Sequence, residues 1–345
     1  MEIGQRRRWL CSFTDYPDFS EIASFLPMNR RDFLALAASA SAGLPSLSWP
    51  DDTTIPIIDT HIHLFDTTRA QGVPWPTPKD EILYQPALPD RYRRIAVPLG
   101  IVGAIVVEAS PWLEDNQWVL DVAARDKIIV GTVGNLEPGK PGFRQQLERF
   151  HRNPLFRGIR YGNLWDRDLS RQLSNPKVVS DLKFFAQTGL VLDTANPNPV
   201  LLAAIVRVTE QVPELRVIID HLPQMTTPVE AAVRKDYETH LQELGKRPQV
   251  YVKISEVLRR VDGKIPQALS FYRGRLDELF GIFGEDRLLY GSDWPNSDQW
   301  LPVEAGLNLV SEYFNAKGRT VAEKYFWKNS AAAYHWLKRD PSQPG

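Results

Sequence analysis

From Ile55 onward the chain alternates short runs of Ile, Val and Leu with longer stretches whose apolar residues recur at helical spacing. Strands buried on both faces read as continuous apolar runs, and helical patterns between them mark a parallel sheet built from β-α units. Eight such runs occur: "IPIID" leading into His61, "VGAIVVEA" through Glu108, "IIVGTVGN" through Asn135, "FRGIRYG", "LVLDTAN", "LRVIIDH", "VYVKIS" and "LLYGSD". They predict an α/β fold, a (β/α)8 barrel of TIM type. It forms a single domain from about 55 to 338 and leaves a tail at 339–345.

The intervening stretches fit. "EDNQWVLDVAARD" over 114–126 and "NPVLLAAIVRVTEQ" over 198–211 read as amphipathic helices, the second opened by Asn198 as cap and Pro199 in the first turn. "RLDELFGIFGED" over 275–286 carries the glycine expected of a helix stop before the eighth strand. Between His63 and Pro89 a proline-rich segment containing Trp75 lacks helical period, and a long first loop over a barrel mouth commonly shapes a substrate pocket.

Composition narrows the function without naming it. Forty-one basic against 42 acidic residues, a net charge of −1, provide no field for nucleic acid or an anionic membrane. The sole cysteine, Cys11, excludes an internal disulfide framework, a cysteine zinc site and a catalytic thiol in the main body. At the N-terminus, "MNRRDFLALAASASAGLPS" from Met28 orders a twin arginine, a short apolar run and small residues at A-x-A spacing. Residues 28–50 therefore read as a twin-arginine signal peptide, too short for a stable membrane anchor. This implies an export machinery as partner and a periplasmic destination, with the cytoplasm as the alternative. Residues 1–27 read as an unstructured upstream extension, with Met28 as the true start.

The chemistry lies where the apolar runs end. Catalytic groups of a (β/α)8 barrel sit at the carboxyl ends of its strands, and an apolar strand has no structural need to finish in His or Asp. Here the first run finishes in Asp59, His61 and His63, the second in Glu108, the sixth in Asp220 and His221, and the eighth in Asp293. Two residues apart on an extended segment, His61 and His63 point the same way and can converge on a metal or a substrate. Asp293, after "RLLYG", suits a buried general base or metal ligand; as a lone Asp it would equally suit a turn before Pro295. His221 is placed either to polarise a carbonyl or as a core histidine held by Asp220. Glu108 would complete a one-metal site or accept a hydrogen bond from a substrate hydroxyl. Arg160, Tyr161 and Lys253 are substrate-binding candidates, the two cations being equally suited to ion pairs with Asp193 or Asp220. Trp75, Trp112 and Trp294 would stack on a ring or simply pack.

Taken in order, "DTHIHLFD", "GIRYG", "VIIDHLPQ", "YVKIS" and "LLYGSDWP" resemble the amidohydrolase-related branch of the amidohydrolase superfamily, in particular its lactonases acting on sugar lactones and aromatic ring-cleavage lactones. The resemblance spans about 55 to 338 and implies a metal-dependent hydrolase barrel in which His61, His63, His221 and Asp293 occupy the superfamily's first-, sixth- and eighth-strand positions. Two-metal members carry an acidic or carboxylated-lysine bridge on strand 4 and a histidine on strand 5. This chain has Arg160 and Asp193 there, so the resemblance implies one divalent ion, zinc first, or none.

The expected reaction is hydrolysis of a small lactone, with Asp293 taking a proton from water and returning it to the leaving alkoxide. The small-molecule partner is then a lactone or a carboxylate, and an oligomer is compatible with the sequence. The alternatives are an amidohydrolase-type decarboxylase, weakened by the absent strand-5 histidine, and a non-catalytic periplasmic binding barrel. Serine-hydrolase and nucleotide-binding readings fail for want of their glycine motifs.

Overall fold

A computed structural model describes residues 54–345 apart from Thr226, and the readings for 1–50 lie outside the described residues. Residues 54–345 form one compact unit. Its eight strands are β1 (Ile57–Ile62), β2 (Ile101–Val107), β3 (Ile129–Gly134), β4 (Phe156–Arg160), β5 (Val191–Thr194), β6 (Arg216–Ile219), β7 (Val250–Ile254) and β8 (Leu288–Tyr290). They pair in sequence order, every ladder parallel, as in a (β/α)8 barrel. Among the described residues no helix is long and apolar enough to cross a membrane.

The strand side chains divide into two apolar sets. Ile62, Ala104, Val106, Ile129, Ile159 and Leu192 pack with the surrounding helices. Ile58, Ile105, Val107, Val133, Ile218 and Leu289 pack with one another and with Ala333, Tyr334 and Trp336 from the C-terminal segment, which closes the barrel floor. The helix expected over 198–211 is Pro199–Gln211, its Asn198 side chain accepting from the Leu201 amide. The one expected over 275–286 runs instead from Leu269 to Phe283. Leu269, Tyr272, Leu276, Leu279 and Phe283 extend one buried face toward its N-terminus, and Gly284, at φ 69°, turns the chain out. The tail is also bound to the barrel: Arg339 donates to the carbonyls of Ala123, Ala124, Asp126 and Ile129.

Two irregularities position the site. The first is a bulge in β1, where Asp59 and Ile62 pair with Ala104 and Val106, three residues against two. The extra residue resets the alternation, so Ile58 and then His61 and His63 face inward, whereas Asp59 turns outward to accept from the Tyr92 hydroxyl at 2.8 Å. A strict period of two would have grouped Asp59 with the histidines.

The second is the seam between β1 and β8. In place of a full ladder it has a single parallel bridge, Ile62 with Trp294, together with Asp293 N donating to His61 O (2.8 Å) and His63 N to Trp294 O (2.7 Å). Side chains complete it: Thr60 Oγ1 donates to Tyr290 O at 2.5 Å, and Asp59 Oδ1 accepts from the amides of Ser292 and His61. Gly291 permits this approach, since a Cβ there would lie 2.9 Å from the His61 Cβ. Thr60→Val keeps the shape and removes a buried donor, so it is expected to lower the free energy of unfolding by about 1–2 kcal/mol. Urea denaturation measures this, and an unchanged midpoint would show that the hydroxyl contributes nothing to closure.

Candidate active site

Above this floor the last five strands leave the barrel in a common way. Trp165, Asn196, His221, Glu256 and Asp293, after β4, β5, β6, β7 and β8 in turn, all have left-handed backbone with φ between 48° and 59°. None is glycine, and such conformations cost about 1 kcal/mol or more and persist where surrounding structure imposes them. All five side chains line one cavity of about 400 Å³ at the carboxyl ends of the strands. The sharp turns aim them across the barrel mouth.

At the cavity base Asp293 gathers the imidazoles. Its Oδ1 lies 3.1 Å from His63 Nε2, 3.5 Å from His61 Nε2 and 3.8 Å from His221 Nε2. Asp293 Oδ2 accepts from Asn296 Nδ2 at 2.6 Å, and the same amide donates to Glu256 Oε1 at 3.0 Å. Burial would raise the Asp293 carboxyl, but His221, His63 and His61 outweigh it and hold the group well below the usual carboxylate range. Glu256 is pushed well above its ordinary value, first by burial and then by Asp293. Burial lowers His221 to about 4, with Asp293 and Asp220 opposing. Adjacent carboxyls are thus driven apart, one toward the anion and one toward the neutral acid.

Beneath them lies a second polar layer closed to solvent. Lys253 Nζ, fully buried, donates to Asp193 Oδ2 at 2.7 Å, lies 3.0 Å from Asp220 Oδ1 and approaches His61 Nδ1 at 3.1 Å. Arg160 Nε pairs with Asp220 Oδ2 at 3.1 Å, and Tyr334 donates to Asp193 Oδ2 at 2.8 Å from the floor. Burial favours the protonated form of Asp220, yet Lys253 and Arg160 hold it ionised far below its ordinary value. Burial, followed by Lys253, lowers His61 well below the ordinary histidine value, leaving its ring neutral.

The residues singled out from sequence separate accordingly. His63, Glu108, Arg160, His221, Asp293 and Trp75 line the cavity. His61 and Lys253 lie below it, in the ionic layer. Glu108 stands apart from the donor cluster, since its carboxylate accepts from Trp165 Nε1 at 2.9 Å and pairs with Arg167 Nη1 at 3.3 Å. Trp294 is wholly buried against Tyr92, with Arg91 over its ring; Tyr161 is buried in the wall and Trp112 is on the surface. Trp165, Asn196, Gln224, Glu256, Asn296 and Trp300 were missed, although they also line the cavity. Their only signal in the sequence is a position a few residues past a strand end.

The donor chemistry suits one divalent ion. His61, His63 and Asp293 bring ligand atoms together, as do His221, Glu256 and Asp293. His63 Nδ1 lies 3.0 Å from the Val107 carbonyl, which can only accept, so the proton sits there and the Nε2 lone pair faces Asp293. Two acceptors 3.1 Å apart call for a cation or a proton between them. His61 Nε2 is buried and has no hydrogen-bond partner.

Comparison with known proteins establishes the fold and the family. The chain is 27% identical over 245 residues to the L-fucono-1,5-lactonase of Burkholderia ambifaria, covering 70% of this chain and 80% of that protein. The solved structure of an amidohydrolase from Burkholderia multivorans with bound zinc superposes with a TM-score of 0.71 at 19% identity, over 82% of this chain and all of the other. A probable 2-pyrone-4,6-dicarboxylic acid hydrolase from Acinetobacter baumannii with citric acid bound gives 0.63 at 16%, over 81% and 99%. At those identities the structural likeness is one of fold. The amidohydrolase family model matches residues 58–336, the whole barrel with every strand-end residue described above, and the chain belongs to that family.

Proposed function

We propose that this chain hydrolyses a small, uncharged, polyhydroxylated cyclic ester, a sugar lactone. The observation that carries this reading is the composition of the cavity wall around Asp293. Its lining holds Asp293, Glu256, which is driven toward the neutral acid, and Glu108, which is paired with Arg167; its one cation, Arg160, is already paired with Asp220, so no surplus positive charge faces the cavity among the described residues. A dicarboxylate lactone would need surplus cations to offset its charge. A ring bearing hydroxyls instead finds acceptors in Glu108 and Glu256, amides in Asn196, Gln224 and Asn296, and flat faces in Trp75, Trp165 and Trp300. The lactonase relative from Burkholderia ambifaria supports the same class.

Asp293, held anionic, takes the proton of the attacking water, while Asn296 fixes its second oxygen and so its orientation. Arg160 and the neutral His221 border the space where the carbonyl oxygen becomes an oxyanion. Asp293 then returns the proton to the departing ring oxygen, completing the hydrolysis. His61, His63 and Asp293, or His221, Glu256 and Asp293, would hold a divalent ion, which when bound supplies Lewis-acid polarisation of the carbonyl. Zinc suits this nitrogen and oxygen donor set. For the decarboxylase alternative, the β5 position offers Asp193, committed to Lys253 and Tyr334 beneath the cavity.

Three outcomes are expected. On a panel of lactones followed by acid release at constant pH, sugar lactones turn over at least tenfold faster than a pyrone dicarboxylate; the reverse order would overturn the substrate class. Asp293→Asn lowers kcat on the best substrate by about 10²–10⁴-fold, the range for removing a general base, and an unchanged kcat would remove Asp293 from the chemistry. The acid limb of kcat/KM lies near pH 4. Asp293 is ionised well below its ordinary value and His221 stays neutral until about 4, so lowering the pH from 7 to 5 leaves both groups in their working forms. An acid limb near 6.5, that of an ordinary histidine, would contradict this assignment.

A further inference from the structure

We infer that Lys253 fixes the tautomer of His61, placing its proton on Nε2, and thereby withholds that imidazole from metal coordination. The inference concerns the ligand set alone and holds whatever ester the cavity takes. An ammonium has three donors and no acceptor. Around Lys253 Nζ lie three acceptors: Asp193 Oδ2 at 2.7 Å, Asp220 Oδ1 at 3.0 Å and His61 Nδ1 at 3.1 Å. The Asp193 and His61 contacts are hydrogen bonds and the Asp220 contact is an ion pair, and since an ammonium can only donate, His61 Nδ1 must accept; a neutral imidazole that accepts at Nδ1 carries its hydrogen on Nε2.

A metal-bound imidazole has the opposite requirement. The ligating nitrogen presents a lone pair, and the other ring nitrogen donates its hydrogen to a carbonyl, carboxylate or water. His63 meets it, with Nδ1 on the Val107 carbonyl. For His61 the carboxylate that could receive an Nδ1 hydrogen, Asp220 Oδ1, is 3.7 Å away, and the ammonium stands nearer. His61 Nε2 lies 3.5 Å from Asp293 Oδ1, near that carboxylate but not aligned on it as a hydrogen bond. Of the two strand-1 histidines, His63 is thus set as a ligand, and His61 carries a hydrogen on the nitrogen that faces the Asp293 carboxylate. Lys253, reaching neither the cavity nor the substrate, is a positioning residue. Its fixed positive charge beside the donor set also repels a second cation.

The direct test is the ring state of His61 in the full, metal-free chain, read from long-range ¹H–¹⁵N spectra of histidine-labelled protein, with His61 identified by its loss in His61→Gln. Hydrogen on Nε2 of His61 and on Nδ1 of His63 is expected, and hydrogen on Nδ1 of His61 would overturn the inference. Binding of Zn²⁺ alone, measured by competition with a chromophoric chelator, provides the second reading. Lys253→Met combined with Asp193→Asn removes one charge of each sign, so the buried layer keeps its balance. This variant is expected to shift the His61 hydrogen to Nδ1, facing Asp220, and to bind Zn²⁺ at least tenfold more tightly. A folded variant with unchanged affinity would refute the role given to Lys253. Should the variant not fold, the tautomer in the unmodified chain still decides. Tyr334→Phe, which removes a different partner of Asp193, should leave both readings where they are.

Discussion

The ammonium of Lys253 is the contact on which the interior of this barrel depends. Transferring a lysine from water to the protein interior costs several kcal/mol, and only close, saturated pairing offsets it. Asp193, Asp220 and His61 supply that pairing, drawn from β5, the end of β6 and β1, while Lys253 itself belongs to β7. One cation therefore ties together four positions around a closed sheet. Arg160 on β4 and Tyr334 from the C-terminal helix join the same layer through Asp220 and Asp193. Removing any charged partner would leave a buried charge undercompensated, so these side chains have little freedom to drift. That rigidity is inherited by the groups directly above.

The barrel is accordingly stratified. An apolar floor of Ile58, Ile105, Val133, Ile218 and Leu289, sealed by Trp336, excludes water from below. The ionic layer comes next, and Asp293 with His63 and His221 sits above it facing the cavity. Strand pairing alone would not aim these groups. The β1 bulge turns His61 and His63 inward, and left-handed turns after β4 to β8 direct five side chains over the mouth. Backbone strain of this kind requires firm support, which the closed seam and the ionic layer beneath provide.

Much of this was legible in the sequence, for identifiable reasons. The eight apolar runs appear as eight strands because strands buried on both faces admit little else, and the polar residues that end them mark the site because the interior tolerates such groups only with partners. His63, His221, Asp293 and Arg160 follow from that rule. Asp59 and Trp294 did not obey it: a bulge is invisible to a period-two pattern, and nothing in "GSDWPN" shows that the Trp294 ring turns back onto Tyr92. Glu256, Asn196 and Trp165 escaped notice because they lie in loops, where the direction of a side chain is set by φ, and no pattern of hydropathy records φ. Lys253 was visible as a cation at a strand end, but whether it met substrate or carboxylates depended on a register that only the folded sheet displays.

The stratification also bears on what a resident ion would add to this site. A lactone has an easily expelled leaving group, so an oriented carboxylate and a site prepared for the oxyanion meet most of the chemical demand. What that carboxylate needs is to stay ionised while buried, which requires positive charge or hydrogen-bond donors nearby. A divalent ion is one source. In this chain a second is built in: Lys253 holds Asp220 and orients His61, whose Nε2 faces Asp293, and Asn296 donates to Asp293 Oδ2. The two sources compete for the same nitrogen of His61, because a lone pair and a hydrogen cannot occupy Nε2 together. The charge that stabilises the barrel's centre thus also sets how strongly its active site calls for a metal.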